Sequence, residues 1–221
     1  MIKYVVPGNI DDRVLDRACR LLSEGGLLAL PTDTSWSIVC SLKSASGIKK
    51  LKAHSGERDE RHFTLLCSDI SQFGELCRMD NSQFRLIKRF VPGPYVFVLK
   101  TLLGTEKSLG LRRKEIGIRI PAHQIPLALI RSLSVPLYSI TAKRGMLPDF
   151  DGDGAEEQSV DEFPVIPEDE LFEGGWELEA LEWIALILDS GIEQERLFST
   201  VVDISGDEPQ VLRAGLGPWP A

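Results

Sequence analysis

The chain has 221 residues, 43% of them hydrophobic and 26% charged, the proportions of an ordinary globular domain. It has no apolar run near the ~20 residues of a membrane span, and its opening MIKYVVPGNIDDR lacks the apolar centre of a signal peptide, so a cytoplasmic, reduced protein is expected. The net charge of −8 argues against nucleic acid, but thirteen of the 33 acids lie between Asp151 and Glu182, leaving 20 acids against 25 bases elsewhere.

Residues 11–24 predict an amphipathic helix with Val14, Leu15, Ala18, Leu21 and Leu22 on one face. Asp11 or Asp12 can cap its start, and Gly25-Gly26 end it. Residues 27–30 predict a strand that ends or reaches an edge at Pro31, which has no N–H for a ladder. Thr32, Asp33, Thr34 and Ser35 follow at once. Hydroxyls and a carboxylate at a strand's exit are how α/β proteins line a ligand crevice. A turn whose Thr and Asp satisfy local backbone groups accounts for them equally well. A short strand is expected at 38–40, a helix at 45–52 and a charged loop at 54–61.

Further strands are predicted at 63–67, 95–102, 116–120, 136–141 and 183–188, with a terminal hairpin from 200–204 and 210–213. Helices are predicted at 70–77, 82–89 (capped by Asn81) and 126–133. Residues 143–165, rich in Gly, Pro and Asp, predict a long loop. The interspersed pattern argues for one α/β domain over 1–221, a twisted mixed sheet flanked by helices, with the acidic segment at about 145–182 inside it.

Basic residues cluster at element ends: Lys49, Lys50, Lys52, Arg58 and Arg61; Arg112, Arg113 and Lys114; Lys143 and Arg144; Arg213. Arg119, inside the apolar strand IGIRIP, needs an anionic partner or a path to water. Such a set suits a triphosphate, and a basic body beside one acidic segment can present a positive concave surface to phosphates. Ordinary solvated surface and a structural ion pair explain the same residues. There is no G-x-x-x-x-G-K-[ST], no G-x-G-x-x-G and no G-x-S-x-G in the chain, so any nucleotide site is of another kind and a serine hydrolase is disfavoured. Cys19, Cys40, Cys67 and Cys77 are too far apart for zinc and sit among apolar residues, reading as small buried hydrophobes. His54, His62 and His123 show no metal spacing. Asp149 to Gly154 imitates a calcium loop, but its twelfth position is Val160 where a glutamate is needed. No metal ligands are assigned.

Seven segments in order, GGLLALPTDTSWSIVC, HFTLLC, VPGPYVFVLK, IGIRIPAHQIPLAL, VPLYSITA, STVVDI and VLRAGLG, give the chain a resemblance to the YrdC/YciO proteins. That family includes the bacterial threonylcarbamoyl-adenylate synthases. HFTLLC and DNSQFRLIKRFVPGPYVFVLK are most similar to the YciO branch. The resemblance implies a YrdC-like twisted α/β fold with a large, positively charged concavity that binds ATP, threonine and Mg2+. The implied reaction joins threonine, bicarbonate and ATP into threonylcarbamoyl-AMP with release of pyrophosphate, for the t6A modification of tRNA. A family alternative is binding of double-stranded RNA without synthesis.

On this resemblance Thr32, Asp33 and Thr34 match a Pro-Thr-acid-Thr element, and Lys52 matches the lysine of a Lys-x-Arg pair whose arginine position holds His54. Ser55 stands for the usual following proline, and the loop is longer by about three residues; Arg58 or Arg61 can return the missing charge. Arg119 matches the strand arginine. Ser139 and Thr141 match a hydroxyl-bearing strand whose asparagine is here Lys143, and Val96 replaces a threonine. Ser199, Thr200 and Asp203 match a Ser-Thr-x-x-Asp segment near the nucleotide, and Arg213 an Arg-x-Gly. Lys52, Arg119 and Lys143 are therefore the expected catalytic residues and the others the expected binding residues. Lysine at 143 keeps charge but cannot accept a hydrogen bond as asparagine does.

Overall fold

A computed structural model describes residues 1–56, 59–148 and 166–220. Its strands are β1 (Ile2–Tyr4), β2 (Leu28–Pro31), β3 (Trp36–Ser41), β4 (Phe63–Leu66), β5 (Tyr95–Lys100), β6 (Glu115–Arg119), β7 (Leu137–Thr141), β8 (Leu186–Asp189), β9 (Thr200–Asp203) and β10 (Gln210–Arg213). Its helices are α1 (Asp12–Ser23), α2 (Ala45–Ser55), α3 (Ser71–Leu76), α4 (Asn81–Ile87), α5 (Leu103–Leu109) and α6 (Gln124–Leu133). One ten-stranded mixed sheet runs β1-β8-β2-β3-β7-β4-β6-β5-β9-β10, as the alternating helix and strand patterns predict. Among the described residues no helix is long and apolar enough to cross a membrane.

Local chemistry sets most boundaries. The Asp11 carboxylate accepts the Arg13 N–H at 2.9 Å to start α1, and Gly25, at φ +82°, turns the chain beyond its end. At α4 the cap is Asp80, not Asn81. Its carboxylate accepts from the N–H of Ser82 and Gln83 at 2.7 and 2.8 Å, and Gln83 accepts the Asp80 N–H in return. Pro31 occupies the last register position of β2, opposite Trp36.

Several expectations change. Helix α2 runs on to Ser55, started by the Ser44 hydroxyl, which accepts the Gly47 N–H at 3.1 Å. The expected loop beyond it contains a 3-10 turn at Glu60–His62. Helix α5 and strand β1 were not expected. Helix α5 is held by the Thr105 hydroxyl, which donates to the Leu76 carbonyl at 2.9 Å, and β1 depends on a parallel partner, β8, far along the chain. Strand β8 begins only at Leu186; Trp183 instead stacks on His54 at 4.9 Å between ring centroids. The stretch resembling a calcium loop, and Arg58, lie outside the described residues. In the described part of the acidic segment Leu171, Phe172 and Leu178 are fully buried.

The two faces of the sheet have different fates. Phe63 and Leu65, Phe97 and Leu99, Ile116 and Ile118, Tyr138 and Ile140, and Val202 all point to one face and join a core with residues of α2, α3, α4 and α5. On the opposite face α1 and α6 pack over β8, β2 and β3 through Ala18, Leu22, Ile125, Leu129 and Ile130. Farther across that face, from β7 to β9, the same alternation brings up Ser139 and Thr141, Thr64, Gly117 and Arg119, Val96 and Val201. Register aligns Ser139, Thr64 and Gly117 in a row across three strands.

Phe97→Ala, which empties the middle of the core face, is expected to cost about 3–5 kcal/mol in urea unfolding. Burial pushes the thiols of Cys40 and Cys77 up to about 12, and burial, helped by nearby Cys77 and acids, raises that of Cys67. Cys19 is only half-buried. A thiol reagent at pH 8 is therefore expected to label one cysteine in the native protein and four after denaturation.

Candidate functional site

The turn between β2 and β3 is built around one hydroxyl. Thr32 Oγ1 donates to the Ser35 carbonyl at 2.7 Å and accepts the N–H groups of Thr34 and Ser35 at 3.2 and 3.3 Å. Thr32 thus satisfies local backbone, the reading of this stretch as a turn. By doing so it aims the next two side chains across the sheet, the reading as a site.

Both meet Arg119. The Arg119 guanidinium donates to Asp33 Oδ1 at 2.6 Å, Thr34 Oγ1 at 3.0 Å, Ser199 Oγ at 2.7 Å and the Gly93 carbonyl at 3.3 Å. It is 5% exposed. Burial lowers its pKa from the ordinary arginine value, and the charge and hydrogen bond of Asp33 oppose that shift. The pair is asymmetric: Asp33 Oδ2 is buried and has no hydrogen-bond partner.

Arg213 approaches from β10. Its Nε and Nη2 donate to the Ser199 carbonyl at 3.3 and 3.1 Å, and its guanidinium lies 5.1 Å from the Phe198 ring centroid. Its pKa falls to about 10, first through burial and then through repulsion by Arg119. A buried and a half-buried guanidinium therefore share Ser199, one on its hydroxyl and one on its carbonyl.

These groups open into a hollow on the uncovered half of the sheet. Thr34, Ser37, Thr64, Ser139 and Thr141 supply hydroxyls to its wall, and Arg61, His62, Arg119 and Arg213 supply nitrogen; no Asp or Glu lines it among the described residues. Ser139 Oγ donates to the Thr64 carbonyl at 2.7 Å. The hollow is narrow. Its free volume is about 50 Å³, so side chains must shift for a larger ligand. A roomier hollow of about 270 Å³ by the same measure adjoins it, sharing Arg61 and Val96. Val98, Gly117 and Leu212 give it an apolar floor, and Glu60, Glu115, Asp203 and Arg113 a charged rim. A Cβ on Gly117 would come within 2.8 Å of Val96 Cγ1, so only glycine leaves that floor flat.

Not every expected residue joins them. Lys52 Nζ donates to the Leu109 carbonyl at 2.7 Å and lies 5.9 Å from the Tyr138 ring centroid, on the core side of the sheet. Neither it nor Lys143 is among the residues lining either hollow. Lys143 bridges through its backbone to Leu171, and beside it Arg144 pairs with Glu177, so the acidic segment holds this stretch. Thr200 Oγ1 donates to the Gly217 carbonyl and accepts the Gly215 N–H, a fastening for the C-terminal segment. Asp203 falls in the second hollow, with Oδ1 accepting the Ser205 N–H at 2.8 Å. Of the two arginines expected to return the charge missing at His54, Arg61 lines both hollows. Ser35, from the hydroxyl-rich stretch, lines the first hollow, and so do Ser37, His62, Thr64, Ile166 and Phe198, which were not singled out. The signal for Ser37 and Thr64 was available in strand alternation, each being polar between core residues; Ile166 and Phe198 carry none.

Fold and site together define an α/β protein with a mixed sheet and an arginine-lined hollow on its uncovered face. The chain belongs to the Sua5/YciO/YrdC family, whose model, described as telomere recombination, matches residues 20–151. The uncharacterized protein YciO of Escherichia coli K12 is 30% identical over 215 residues, 97% of this chain and 95% of that protein. The crystal structure of E. coli YciO superposes with a TM-score of 0.78 at 28% identity, covering 99% of this chain and 97% of that one. A threonylcarbamoyl-AMP synthase of Chromobacterium violaceum is 28% identical over 140 residues, 63% of this chain and 71% of that protein. P. abyssi Sua5 complexed with L-threonine shares the fold, with a TM-score of 0.76 at 22% identity, covering 97% of this chain and 57% of that one.

Arg119→Met leaves the Asp33 carboxylate largely buried without its cation, and a loss of about 3–5 kcal/mol is expected in urea unfolding. The double variant Arg119→Met/Asp33→Leu should recover much of it, because both charges then leave together.

Proposed function

We propose that the chain binds ATP across its two hollows and carries out threonylcarbamoyl-AMP synthase-type chemistry. The observation that carries the reading is the electrostatic imbalance of the first hollow. Arg119 is buried and repels the half-buried Arg213, Arg61 joins them, and no carboxylate lines the space among the described residues. A polyphosphate relieves that repulsion by placing negative oxygens between the guanidinium groups. The second hollow, with its flat apolar floor, suits a nucleoside attached to those phosphates.

In the proposed reaction the threonine amine and bicarbonate form a carbamate with loss of water. A carbamate oxygen then attacks the α-phosphorus, and the bond to the departing pyrophosphate breaks. The protein's contribution is to align the two reactants and to hold positive charge where the pyrophosphate leaves. Arg61, Arg119 and Arg213 fill the second role, and Thr34, Ser139 and Thr141 offer hydroxyls for threonine, carbamate and phosphate oxygens. Magnesium is expected to arrive with ATP. No cluster of three metal-binding side chains exists among the described residues, which fits an ion held mainly by phosphates and water.

A second reading has its own support. Lys52 is committed to Leu109, His54 to Trp183, and Lys143 lies off the hollow. If those positions are needed for the chemistry, the same basic hollow serves as a binding site for nucleotide or the backbone of double-stranded RNA without synthesis. One assay separates the two: ATP, threonine, bicarbonate and magnesium, with pyrophosphate release followed. Threonine-dependent release that Arg213→Met reduces at least roughly tenfold is expected for the enzyme. Background release, together with RNA binding that weakens steeply with salt, would establish the second reading instead.

A further inference from the structure

The 3-10 turn at Glu60–His62 is held by two carboxylates that do different work. Asp59 engages Arg61 itself, accepting its backbone N–H at 2.9 Å, its Nε at 2.8 Å and its Nη2 at 2.6 Å. Glu60 reaches the other way. Its two oxygens accept the Arg112 N–H at 2.9 and 3.0 Å and the Arg113 N–H at 3.0 Å. The donors lie in the loop that leads into β6, the strand carrying Arg119. A carboxylate forked over consecutive backbone N–H groups is among the stronger tethers available at an exposed site.

Arg61 stands where the two hollows meet, lining both. Its side chain is 18% exposed, so it can exchange partners. Burial pushes the Asp59 carboxyl up, but the Arg61 hydrogen bonds and the charges of Arg61 and His62 outweigh that and leave it below the ordinary value. Asp59 is therefore anionic at neutral pH and occupies Arg61 as a ligand phosphate would.

We propose that Glu60 is a positioning residue: it fastens the turn to the 112–113 backbone so that Arg61 can leave Asp59 for a polyphosphate without the turn itself drifting away. The proposal rests on the reading that the first hollow takes a polyphosphate.

The test is a calorimetric titration of inorganic tripolyphosphate into the full-length protein at low salt. Glu60→Ala and Arg61→Ala should each weaken binding roughly tenfold, and the double variant should bind no worse than Arg61→Ala, since Glu60 acts only through Arg61. Asp59→Asn should bind a few-fold tighter, roughly the effect of removing one competing anion. That gain is not expected of a merely structural turn. Should Glu60→Ala melt well below the wild type, Glu60→Gln, which keeps the shape and one acceptor, decides with an intermediate loss. Unchanged affinity in Glu60→Ala, or losses that multiply in the double variant, would overturn the clamp. Wild-type binding of tripolyphosphate without synthesis removes only the synthase reading, whereas no wild-type binding removes the clamp as well.

Discussion

A guanidinium buried on the uncovered face of a central strand is the constraint around which this protein is organised. Taking Arg119 out of water costs several kcal/mol unless charge and hydrogen bonds are returned to it. Those returns come from three places: the turn at 32–35, the carbonyl of Gly93 and the hydroxyl of Ser199. Segments distant in the chain are thus tied to one side chain. Whatever occupies the hollow meets an arginine already fixed in place by protein acceptors.

Uneven helix cover turns that constraint into a site. Helices α1 and α6 extend over only part of one sheet face. Had they extended farther, the polar row of Ser139 and Thr64 would have been buried against apolar side chains with little to satisfy it. Left open, it becomes a concave wall whose hydroxyls keep their hydrogen-bond capacity. The opposite face, packed by Phe63, Phe97, Tyr138 and their neighbours, supplies the rigidity that holds the wall.

The family relationship and the local geometry point in slightly different directions, and the difference is physical. Cations contributed by β6 and β10 reach the hollow, where burial and mutual repulsion suit them to an anion. The lysine of α2 does not, because its amine caps the carbonyl at the end of α5. Nor does the lysine after β7, whose backbone is stitched to the acidic segment. That segment is anchored by Leu171, Phe172 and Leu178 and shapes what lies beside it. Arg61, set by a turn rather than a helix, brings charge to the wall from a different direction.

The mixed α/β architecture and most helices were legible in periodicity, because burying one face of a strand or helix imposes a period on its residues. Arg119 was legible too, as a charge where alternation permits one but burial demands a partner. Strand β1 and helix α5 escaped because each is short and exists through contacts made far along the chain. Which cations converge was decided only by the tertiary structure. Lys52, Arg61 and Arg213 look alike in a row of letters, and long flexible side chains go wherever folded neighbours leave an acceptor or a space. For that reason the kinds of side chain that line the hollow were readable in the residues, and which of them meet there was decided by how distant strands came to lie side by side.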